Sequence, residues 1–220
     1  MKRKDRVENF IEGRTSVMVR HLRPQLLMST FCLLKQSLWD RRAEGIHKTA
    51  DNHYSEVADG VILLAFQSLE VWVNSAIVHK HFGATPEELR KQLKLANENL
   101  PEKMAEILPG YQRQGDIELF NEIRNEITHF LPRNYGEEDW CQTLINQGLI
   151  FAHADLPFNS YKLAYWCVEL LVDAGRSVAD MLEAAGMPGS GMKANFVIPS
   201  DINSPNDLSV FDAANNIKVH

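Results

Sequence analysis

Three side chains in one short stretch have the types and spacing to act on a phosphate: Arg124, Asn125 and His129. An imidazole titrates near neutral pH and can carry a proton. A guanidinium grips a phosphate through a two-pronged fork and offsets the charge that builds on it. A neighbouring amide can orient either partner. Together these are the minimal tools for cutting an RNA phosphodiester without a metal. The ribose 2′-hydroxyl attacks, a base takes its proton, and a cation steadies the phosphorane-like transition state. One imidazole does not readily serve as base and acid at once. A symmetric dimer would bring two Arg and two His into a single cleft.

The element that must position these groups is the segment DIELFNEIRNEITHFL, residues 116–131. Asp116 caps it and Pro132 stops it, so it predicts a helix. Ile117, Phe120, Ile123, Ile127 and Leu131 form one apolar stripe. At about 100° per residue, Asn121, Asn125, Thr128 and His129 share the polar face. Arg124 lies about 140° from His129, at the border between the faces. Its long stem can follow the apolar edge and return the guanidinium to the polar side. Each residue also has a purely structural reading. His129 would complement the helix dipole near a C-terminus. Arg124 would be an ion-pair residue whose acid comes from another helix, with Glu70 the candidate. Glu70 sits in an apolar helix and needs a partner if buried. It either orients Arg124 or His129, or lies at a dimer seam or a wet groove.

The string R-N-E-I-T-H, on an amphipathic helix of an all-α domain, resembles the HEPN superfamily. Its signature is Arg, a polar residue after it, and His beyond a gap of four to six residues. Arg124, Asn125 and His129 match with the four-residue gap. The preceding run LLAFQSLEVWVNSAI is similar to the superfamily's first core helix. The resemblance spans roughly residues 55–185. It implies a bundle of four to five helices, a homodimer with the motif at its interface, and metal-independent endoribonuclease activity. Such proteins often act as toxins beside an antitoxin or in anti-phage defence; others bind nucleotides or serve as non-cleaving modules. Glu70, Asn121 and Thr128 are read from the sequence as binding or orienting residues, and the resemblance assigns catalysis to Arg124, Asn125 and His129. It calls for no cofactor and no metal.

The rest of the chain reads as all-α. Residues 25–43 follow Pro24 and carry apolar residues at three- and four-residue spacing. Val57 to Val78 is the most apolar run, bounded by Gly83. Its stretch 61–78 approaches a spanning length, but Gln67, Ser68, Glu70 and Asn74 interrupt it, so it reads as a core helix rather than a membrane span. Thr85-Pro86-Glu87-Glu88 starts a short helix to about Asn97. Further helices are expected over 101–108, 137–147 before Gly148, and from Asn159 or Ser160 to Ala185. The organisation is a basic arm and accessory helix over 1–50, a helical bundle over 51–186, and an irregular tail over 187–220. In that tail Phe196-Val197-Ile198 and Val210-Phe211 could dock on the body.

The 220 residues are 45% hydrophobic and carry a formal charge of −6. That charge argues against coating nucleic acid or anionic membrane through bulk electrostatics. Residues 1–24 nonetheless hold seven Lys/Arg against three acids, a basic arm for phosphates or a solvated terminus. Cys32, Cys141 and Cys167 have no CxxC spacing, which fits a reducing cytosol, and the charged start lacks a signal peptide. A cytoplasmic protein with RNA as its partner follows as the expectation. His79 and His81, with His47 or His53, do not converge as metal ligands. Trp39, Trp72, Trp140 and Trp166 fall in predicted helices and read as core or interface anchors. No phosphate-loop, nucleophile-elbow or zinc-protease motif occurs. The alternative from another class is a non-catalytic helical interaction or nucleotide-binding module of a larger complex.

Overall fold

The computed structural model describes residues 16–44, 55–80, 99–129, 138–150, 158–184 and 195–206, with both ends of the first helix and the last turn of the second as backbone alone. The fold is all-α. Among the described residues six helices follow in order: α1 (Ser16–Glu44), α2 (Ala58–Lys80), α3 (Leu100–Ile107), α4 (Gln114–His129), α5 (Asp139–Asn146) and α6 (Tyr161–Ala184). The expected helix over 85–97, the side chains of His47, His53, His79 and His81, and Val210-Phe211 lie outside the described residues.

Apolar residues on almost every side make α2 the hub, and it touches α1, α3, α4 and α6. Val61, Ile62, Ala65, Leu69, Trp72, Val73 and Ala76 are all sealed from solvent. The span Ala58–Ile77 is long and apolar enough to cross a membrane by composition, but 61% of its most apolar window is buried against the other helices. Burial of each large side chain contributes roughly 1.5–3 kcal/mol. α6 answers α2 with Leu163, Cys167, Leu170, Leu171, Ala174 and Val178, all buried. Ser160 caps α6, its Oγ accepting from Leu163 N at 3.4 Å.

α1 begins at Ser16, eight residues before Pro24, rather than just after it. A proline inside a long helix removes one hydrogen bond while the turns on either side persist, so it need not mark a start. α3 opens on Asn99, whose side chain accepts from Glu102 N at 3.1 Å, with Pro101 in the first turn. Gly148 ends α5 with φ of 64°, a left-handed conformation that favours glycine.

A polar latch joins α1, α2 and α6 at one end. Ser37 Oγ donates to Ser55 Oγ at 2.7 Å, and Ser55 N donates to Asn159 O at 2.9 Å. With its amide turned so that the nitrogen faces these acceptors, Asn159 Nδ2 donates to both carboxylate oxygens of Asp59, each at 3.0 Å. Burial pushes the Asp59 carboxyl above its usual range.

The segment 195–206 closes the far side of the α2–α6 pair. Phe196 is fully buried and meets Trp72 edge-on, with centroids 4.8 Å apart and planes at 64°. A Cβ on Gly175 would sit 2.1 Å from the Phe196 ring, so only glycine leaves room for this plug. Lys35 of α1 pairs with Asp201, and Tyr161 Oη donates to Asn203 O at 2.6 Å.

Candidate active site

The groups of interest sit on the second half of α4. Ile117, Phe120 and Ile123 are sealed in the core as their spacing requires, but Leu119, Asn121 and Glu126 are buried as well. The helix therefore buries a broader arc than one stripe. What remains open is a strip of Glu118, Glu122, Thr128 and His129, with half-buried Asn125 among them, within about 120° of one another on the wheel. Asn121, expected on the open face, belongs to the buried arc instead, at 8% exposure.

Arg124 is half-buried at the border of that arc. Its guanidinium carbon lies 5.0 Å from the centroid of Phe66, on α2. Phe66 is itself wedged by Phe120, edge-on at 5.3 Å and 77°. Such a cation over a ring face gains about 0.5–2 kcal/mol, depending on desolvation. From there Nη1 donates to Asn125 Oδ1 at 2.9 Å. The stem follows the apolar edge and the head turns to the polar side. Asn125 thus orients Arg124 directly, by a hydrogen bond between adjacent residues.

Thr128 Oγ1 donates to the carbonyls of Arg124 and Asn125, at 2.9 and 3.1 Å. That bond turns Thr128 onto its own helix, away from a partner role towards the imidazole. His129 is the last residue of α4 and is exposed. It lies one turn past Asn125 on the same strip, where the helix dipole also favours a cation.

Glu70 does not pair with this group. Its Oε1 accepts from Lys103 Nζ of α3 at 2.8 Å, and its Oε2 from Gln67 at 3.4 Å. Lys103 is only 3% exposed, so the pair compensates two groups that would each be costly alone. The acid in the apolar helix answers a buried lysine from α3. Glu70 thus sits in an ion pair with Lys103, where the sequence placed it against Arg124 or His129.

Arg124 and Asn125 are thus joined with Phe66 beneath and His129 one turn further along α4, while Glu70 pairs with Lys103 and Asn121 lies in the buried arc. Phe66 escaped the sequence reading because it looks like any core ring of α2. The available signal was Phe120, one turn before Arg124 on nearly the same face. Among the described residues, no three His, Cys, Asp or Glu side chains gather as metal ligands.

The tryptophans divide three ways. Trp72 is core, Trp140 and Trp166 pack partly buried against it with Trp140 stacked on Phe158 at 6.1 Å, and Trp39 is 55% exposed on α1. The chain matches no family model, no curated protein and no solved structure.

Proposed function

We propose that this chain is an endoribonuclease of the HEPN type, acting as a toxin or in anti-phage defence. The observation that carries the reading is the guanidinium of Arg124, braced on Phe66 and tied to Asn125, one turn from an exposed imidazole. Preorganised charge of this kind stabilises a transition state because it need not reorganise during the reaction. Arg124 would hold the scissile phosphate and offset its developing charge. His129 would transfer the proton, and Asn125 would set the direction of the fork. Two copies of α4 facing across a dimer would supply base and acid from separate imidazoles.

Incubation of the purified chain with mixed RNA in EDTA tests this. Cleavage is expected, with products ending in cyclic phosphate, the mark of 2′-hydroxyl attack. Arg124→Ala and His129→Ala should each lower the rate by about 100-fold or more while keeping the helical circular dichroism signal. Full activity in either variant rejects the assignment.

A second reading, a non-catalytic helical interaction module, draws on Met28 and Trp39, which expose large apolar side chains on α1. It expects no cleavage of any RNA by the wild-type chain.

A further inference from the structure

A cleft of about 400 Å³ opens at the other end of α4, bounded by Arg113, Glu169, Val172, Asp173, Arg176 and Ile198. The whole length of α4, about 24 Å, separates it from His129. Both arginines are pinned by their inner nitrogen. Arg113 Nε donates to Asp116 at 2.6 Å, and Arg176 Nε donates to the Phe196 carbonyl at 2.7 Å. Their terminal nitrogens make no hydrogen bond among the described residues. Two oriented guanidinium edges thus line one cavity with their donors unspent.

We infer that this cleft binds a phosphate monoester through the outer edges of Arg113 and Arg176. A carboxylate has two oxygens and matches one guanidinium fork. A terminal phosphate has three, enough to meet two forks together. The acids nearby are already committed. Asp116 is paired with Arg113, and Asp173 accepts from Tyr111 Oη at 2.6 Å. Glu169 lines the same cleft, and burial pushes its carboxyl up against the opposing pull of the Arg113 guanidinium. The cavity falls in the range of about 300–1,000 Å³ typical of small-molecule sites, well beyond a bare ion. A second cavity of about 150 Å³ shares Glu169 and is lined by Lys162, Trp166 and Asn206. The organic part of the ester extends along α6 towards it.

Calorimetric titration of the full chain with inorganic phosphate and with adenosine monophosphate, at constant ionic strength, tests the site. Saturable one-to-one binding of both is expected, with the nucleotide tighter. Arg113→Lys keeps the charge but loses the fork, and Arg176→Gln loses both. Each should weaken nucleotide binding at least tenfold, while His129→Ala keeps full affinity. The outcome for His129→Ala separates this site from the one proposed for RNA cleavage. If Arg176→Gln does not fold, Arg113→Lys alone decides. The inference is overturned by no saturable heat up to about 10 mM of either probe. It is also overturned by undiminished binding in Arg113→Lys, by equal affinities for the two probes, or by loss of binding in His129→Ala.

Discussion

Arg124 draws its fixed direction from two neighbours of different kinds, a ring beneath it and an amide beside it. A flexible cation at the same position would spend side-chain entropy each time it met a phosphate. The residue scale also separates the three thiols. Cys32 is exposed, whereas Cys141 and Cys167 are buried. Burial, with Glu126 and Glu138 nearby, pushes the Cys141 thiol up to about 12, and burial raises Cys167 well above the usual range. Only thiolates alkylate readily. Iodoacetamide on the native chain should therefore label Cys32 alone, read by peptide mass spectrometry, and all three after denaturation. Labelling of Cys141 in the folded protein would contradict its packing. The Arg–Asn–His trio was legible in the sequence because helical spacing alone puts Asn125 and His129 on one strip. The role of Glu70 was not. A carboxylate in an apolar helix announces that it needs a partner, but Lys103 lies 33 positions away. No local pattern links them.

At the scale of elements, periodicity exposed α2 and α6 well, since their apolar positions are the ones sealed in the core. It misjudged α4. A wheel with one stripe leaves Asn121 and Glu126 outside, but α4 buries a wider arc and both go inside. Contact between helices is a tertiary fact, and the count of neighbours is not written along one segment. Gly175 gives a sharp test of such contact. Alanine in a helix interior normally gains up to about 1 kcal/mol over glycine. Here the added methyl would overlap the Phe196 ring, so the sign should reverse. Gly175→Ala is expected to lose about 2–4 kcal/mol in chemical denaturation, close to the loss for Phe196→Ala. The double variant should cost far less than both losses combined, because either change already expels the plug.

At the scale of the whole molecule, the latch at Asp59 makes stability depend on pH. Its carboxyl is raised in the folded chain, so folding favours the protonated form. That contribution is intact below the ordinary carboxylate range and is lost as pH rises through the folded value. Asp59→Asn should therefore match the wild type near pH of about 4 and be the more stable of the two near about 7, read from urea midpoints. Assembly offers the complementary test of the proposed nuclease. If the cleft joins two copies of α4, exchanging wild-type subunits with an excess of His129→Ala should lower cleavage more steeply than the wild-type share falls, because a mixed cleft holds only one imidazole. A rate that falls only in proportion to the wild-type share would argue for a site within one chain.

The plug formed by Phe196 has a consequence for how the protein is made. Synthesis runs from the N-terminus, and domains tend to fold as their residues emerge. Trp72 and Gly175 leave the ribosome well before the ring that covers them. Until then a nascent chain with α1 to α6 in place still bears an open notch beside an indole. Completion of the core waits on a residue that follows α6 in the chain, so products that stop short of Phe196 should be the ones that quality-control proteases recognise.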